Sequence, residues 1–118
     1  MKVLFVNYPK CSTCKKAKKW LEENNIQFDS RHIVEENPTK EDLKKWISLS
    51  NEPIQKFFNT SGILYREMNL KEKRTTASEE ELLEILASNG MLVKRPLLVT
   101  DDTVLIGFKE DKWNAYFK

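Results

Sequence analysis

The 118-residue chain is poor in cysteine, histidine and glycine, with two, one and three of them. Two cysteines and one histidine fall short of the four ligands a structural zinc site takes, so a zinc-folded module is disfavoured. No apolar run approaches the roughly 18 residues that mark a membrane span. The opening Lys2-Val3-Leu4-Phe5-Val6-Asn7 is too short an apolar stretch for a signal peptide. A charge excess of one sign is missing too: 20 basic against 18 acidic side chains leave +2, which is not the footprint of a nucleic-acid binder. No internal repeat, low-complexity tract or Gly/Ser-rich linker divides the chain. What remains is 40% apolar and 32% charged. That balance predicts one cytoplasmic globular domain over residues 1–118.

Hydrophobic periodicity orders the elements. Val3 to Val6 is a continuous apolar run ended by Pro9, which predicts a buried central strand. Ala17, Trp20 and Leu21 then recur at helical spacing, with Lys15, Lys16, Lys18 and Lys19 largely on the other faces. Asn24-Asn25 stops this helix, and Ile26 to Val34 reads as a second strand, parallel to the first through a right-handed crossover. Thr39 with Asp42, and Ser78 with Glu81, have the spacing of capping boxes ahead of apolar helical faces. Pro53 suits a first helical position before Ile54, Phe57 and Phe58, and Asn89-Gly90 suits a helix end. Pro96 to Thr100 and Thr103 to Gly107 flank Asp101-Asp102 as a hairpin, and Trp113, Tyr116 and Phe117 share a face of a last helix. The order β-α-β … β-β-α predicts an α/β fold with a four-stranded mixed sheet. Its sheet core would be residues 1–36 and 91–118, with a helical insertion over 37–90.

The two cysteines stand together in Pro9-Lys10-Cys11-Ser12-Thr13-Cys14-Lys15-Lys16-Ala17. Three readings apply: half of a metal site, two inert packing thiols, or a redox couple. In a reducing compartment a C-x-x-C beside a βαβ pattern favours the last. Cys11 falls where the loop becomes a helix, and there free N–H groups and the helix dipole favour a thiolate. Cys14 follows one turn later, with Cα atoms about 5 Å apart, within disulfide range. Cys11 would attack a substrate sulfur and Cys14 would resolve the mixed disulfide. The lysine run reads as a solvated face, or as a lure for an anionic thiol such as glutathione or for an acidic partner. His32 reads as a satisfied or solvent-facing strand residue.

The cysteine stretch, followed by Val93-Lys94-Arg95-Pro96-Leu97-Leu98-Val99, resembles the arsenate reductase and Spx-type family. The likeness is greatest to its short bacterial members of unassigned substrate and runs nearly end to end. It implies a thioredoxin-like, glutaredoxin-related fold, with Cys11 as reactive thiol and no bound cofactor. A low-molecular-weight thiol such as glutathione, or a thioredoxin-type protein, would be the reductant. It also implies a cis Arg95–Pro96 bond, with Arg95 presenting a guanidinium to an anion near Cys11 and Lys10, Ser12, Thr13 and Pro96 shaping the substrate groove. Family arsenate reductases resemble a one-cysteine site with three arginines. Here Arg95 matches one, whereas Asn59 and Ile106-Gly107 stand at the other two. Cys14 instead resembles the Spx-type pattern, which implies the RNA polymerase alpha subunit as an alternative partner. The glycine expected near Ser50-Asn51-Glu52 for that contact is missing.

Overall fold

The computed structural model describes residues 2–118. Its sheet is built on β1 (Leu4–Asn7), which pairs in parallel with β2 (Asp29–His32) and antiparallel with β3 (Leu97–Val99). β3 in turn pairs antiparallel with β4 (Val104–Ile106), so the strand order is β2-β1-β3-β4. The parallel crossover runs through α1 (Ser12–Glu23). This is the expected four-stranded mixed sheet.

The strand period of two sorts side chains between two core layers. Val6, Leu97 and Val104 point into one layer, and Phe5 and Leu98 into the other. The second layer is closed by α1 and by α6 (Glu110–Phe117), whose Trp113 is fully buried. Trp113 meets Trp20 edge-on at 5.6 Å, and its indole N–H donates to Gly107 O at 3.2 Å. The first layer is covered by α2 (Lys40–Ser50), α3 (Ile63–Glu67), α4 (Leu70–Thr76) and α5 (Glu79–Ser88). Short 3₁₀ turns at Ile54–Phe57 and Gly90–Leu92 complete this insertion. At Thr39 the full reciprocal cap forms with Asp42. At Ser78 the hydroxyl accepts the Glu81 N–H.

Two local features differ from the sequence pattern, and a third adds to it. β2 is four residues rather than nine. The Ile26 N–H is still occupied with Leu21 O in the closing turn of α1. Beyond the strand the His32 ring accepts the N–H groups of Val34 and Glu35 and turns the chain away. Pro53 caps a 3₁₀ turn instead of opening an α-helix. Gly90 starts the second 3₁₀ turn, and its smallness serves a close approach. A Cβ there would lie 1.8 Å from Ile33 O.

Candidate functional site

Cys11 is the N-cap of α1, with extended backbone (φ −89°, ψ 119°). Its N–H donates to Tyr8 O at 3.0 Å, and its carbonyl accepts the Lys15 N–H at 3.1 Å. Its sulfur does what a cap side chain does: Sγ accepts the Cys14 N–H at 3.4 Å, satisfying one otherwise free donor of the first turn. No acidic residue occupies that turn to cancel the positive end of the dipole. Partial burial works against charge on Cys11. Hydrogen bonding from Cys14 and the Arg95 guanidinium outweigh it, and the thiol is held below its ordinary pKa. That is the electrostatic setting of a reactive thiolate.

Cys14 is the opposite case. It is 2% exposed, among Ala17, Trp20 and Leu21 on the inner face of α1. Burial pushes its pKa up to about 12, offset in part by a backbone hydrogen bond from Tyr8 and reinforced by the neighbouring Cys11 sulfur. Both cysteines are free thiols. One amphipathic helix thus gives two thiols of opposite character, because position 11 caps the helix and position 14 faces inward.

Arg95 comes from the segment before β3, 84 positions after Cys11, and its bond to Pro96 is cis. Its guanidinium carbon lies 5.1 Å from the Tyr8 ring centre, and Nη1 donates to Met91 O at 3.4 Å. Cys11, Thr13 and Arg95 line a cleft of about 760 Å³. Lys10 and Ser12 are exposed at the helix tip, and Pro96 is buried. None of these three lines the cleft. Among the described residues no cluster of His, Cys, Asp and Glu is placed to hold a metal ion, and no helix is long and apolar enough to cross a membrane.

Residues 6–116 match the ArsC family. The chain is a member of the ArsC family. A crystal structure of an ArsC family related protein from Bacteroides fragilis is 58% identical, covers 98% of this chain and 97% of its own, and superposes with a TM-score of 0.94. The uncharacterized protein YusI of Bacillus subtilis strain 168 is 54% identical over 96% of both chains. The regulatory protein MgsR of the same organism is 36% identical over 88% of this chain and 81% of its own.

The ArsC fold brings together positions that are far apart in sequence. Asn59 and Ile106-Gly107, which stand where the resemblance places two further arginines, line the same cleft as Cys11 and Arg95. So do Lys56, Lys94, Lys109 and Lys112, for none of which the sequence pattern suggested a role. Lys56 lies between Gln55 and Phe57, Lys94 beside Arg95, and Lys109 and Lys112 in a charged stretch after β4. Only the closing of β4 and the insertion around the tip of α1 makes them neighbours of the thiol. Arg74 also lines the cleft, but its guanidinium is engaged, donating to Tyr65 Oη at 2.9 Å and Gln55 O at 3.2 Å.

Proposed function

We propose that this ArsC-family protein is a small thiol–disulfide oxidoreductase with Cys11 as nucleophile and Cys14 as resolving thiol. One observation carries this reading: Cys11 caps α1 at a cleft with its pKa lowered, while Cys14 lies buried behind it with its pKa raised. The Cys11 thiolate attacks a substrate sulfur, and the displaced thiolate leaves with the electron pair of the broken S–S bond. Once Cys11 is in a mixed disulfide its negative charge is gone, and with it one cause of the raised Cys14 pKa. Cys14 then attacks Cys11, releasing the substrate thiol and leaving a Cys11–Cys14 disulfide. A low-molecular-weight thiol such as glutathione, or a thioredoxin-type protein, returns the two electrons. Arg95 steadies the thiolate and orients an anionic group of the substrate.

The test is a Cys14→Ser variant exposed to a disulfide substrate. A stable adduct on Cys11, against an internal disulfide in the unmutated protein, is the expected result. A variant that gains no adduct on Cys11 overturns the assignment.

A second reading is favoured by the likeness to MgsR, a regulatory protein. In it the same couple is a redox switch that controls binding to the RNA polymerase alpha subunit. Binding to the alpha C-terminal domain that changes on oxidation supports it, and no binding in either state removes it. Arsenate reduction is the weaker third reading. Asn59 and Ile106-Gly107 supply no guanidinium to the cleft, so a highly charged oxyanion loses two charge-assisted donors there.

A further inference from the structure

The cleft runs along a strand edge. Val104 and Ile106 belong to the core layer of the insertion, and Leu105 to the layer of α1 and α6. All three nevertheless line the cleft, together with Thr103 and Gly107. The only part of a strand common to both faces is its edge. β4 is an outer strand of the sheet, with no strand beyond it.

That edge is open. The Thr100 N–H donates to Thr103 O at 2.9 Å, and the Gly107 N–H to Pro96 O at 2.8 Å. Residues 103, 105 and 107 therefore turn their backbone groups towards β3, and Val104 and Ile106 turn theirs away. Among the described residues these outward groups of Val104 and Ile106 have no hydrogen-bond partner. Over Val104–Ile106 the edge offers about 10 Å to an extended chain before Gly107 bends away at φ 72°. Cys11 and Arg95 line the same cleft.

Charge selects the occupant. Lys56, Lys94, Lys109, Lys112 and Arg95 line the cleft against a single carboxylate, Glu52. A second copy of this chain would bring the same positive rim, and like charges across a strand pair oppose pairing. An acidic segment is attracted to it.

We infer that the β4 edge is the docking rail for a polypeptide client, an extended acidic segment that pairs with Val104 and Ile106 and delivers its sulfur to Cys11. The inference rests on the oxidoreductase reading and names its substrate class as an acidic polypeptide disulfide. Pairing along an exposed sheet edge supplies affinity through main-chain hydrogen bonds, and the lysines supply selection. In the reaction the Cys11 thiolate forms a new S–S bond to the client sulfur. The client's old S–S bond breaks, and its other sulfur leaves as a thiolate.

The test uses the Cys14→Ser full-length protein and synthetic peptides with one cysteine activated as a mixed disulfide with thionitrobenzoate. Three peptides are compared: an acidic one, its lysine counterpart, and the acidic one N-methylated at alternate residues. The acidic peptide is expected to release thionitrobenzoate about tenfold faster than the lysine peptide at low salt, the advantage shrinking as salt rises. N-methylation on the pairing side should remove most of the remaining preference. In the trapped complex, the amides of Val104 and Ile106 should exchange with solvent at least about tenfold more slowly than in the free protein. Equal rates for all peptides, or unchanged exchange at Val104 and Ile106, overturn the docking rail while leaving Cys11 as nucleophile. Slow exchange at both amides in the free protein that strengthens with protein concentration assigns the edge to a second copy and overturns the client. A Cys11 that reacts with no peptide and is also inert to iodoacetamide overturns the oxidoreductase reading itself.

Discussion

Alkylation of the reduced native protein at pH 8 with a neutral reagent such as iodoacetamide should separate the two thiols by orders of magnitude. With its pKa pushed up to about 12, Cys14 is a thiolate in about one molecule in ten thousand at that pH. An ordinary thiol with pKa about 8.5 is about one quarter thiolate. On thiolate fraction alone Cys14 should therefore react roughly three orders of magnitude more slowly than a free cysteine; the greater nucleophilicity of a more basic thiolate returns about one order of this, and its 2% exposure slows reagent access further. Cys11, with its pKa lowered, should react at least as fast as a free cysteine. Peptide mapping by mass spectrometry over time reads both rates in one sample, and the same protein in guanidinium should lose the difference. Replacing Cys11 by Ser should speed Cys14 only modestly, because burial is the largest cause of its shift and the Cys11 sulfur a lesser one. Native Cys14 alkylated within about tenfold of Cys11 would refute the reasoning, since burial would then not be holding its proton.

The same shifts set signs for stability against pH. Native Cys14 keeps its proton up to about pH 12, whereas the unfolded thiol loses its proton near 8.5. The native state holds more protons in that window, so the Cys14 contribution is fully present below it and is lost as pH rises through it. Cys11 has the opposite sign. Its native pKa is lowered, so its contribution is present above the ordinary thiol pKa and is lost as pH falls through the native one.

Arg95→Met removes the guanidinium that helps hold Cys11 as a thiolate, so its alkylation curve should move to higher pH while unfolding by urea changes little; a curve that stays in place removes Arg95 from the site. Gly90→Ala forces a Cβ against Ile33 O, which should cost about 2–3 kcal/mol and lower Tm by about 10 °C in thermal unfolding; an unchanged Tm would show that the chain relaxes freely there. Thr39→Ala breaks the reciprocal cap of α2 and should cost about 1 kcal/mol in urea unfolding with Cys11 reactivity unchanged.

Features decided within a few residues were legible from the sequence. The caps at Thr39 and Ser78 formed because a hydroxyl and an amide three positions on meet by local geometry alone. The division of labour proposed for Cys11 and Cys14 has the same origin, since capping and inward facing follow from their places on one helix. Where a specific hydrogen bond or close approach intervened, the pattern was incomplete. The stretch from Ile26 to Val34 reads as a long strand, yet Ile26 belongs to the close of α1 and His32 ends β2 by accepting two amides, in each case through partners no more than five residues away. Asn89-Gly90 does follow the end of α5 as expected, but the need for a small residue at Gly90 comes from Ile33, 57 residues earlier in the chain.

By itself, then, the sequence determined the starts of α2 and α5, the alternation that gives the sheet two core layers, and a thiol pair with one member at a helix tip. Each depends on neighbours no more than four residues apart. Only the tertiary structure decided what surrounds that tip. Asn59, Arg95, Ile106 and the lysines at 56, 94, 109 and 112 share a cleft with Cys11 because β4 and the insertion close around it. The unpaired edge of β4 exists only once the sheet order leaves nothing beyond it. Electrostatic potential and open backbone edges depend on distance in space, which spacing along the chain does not encode.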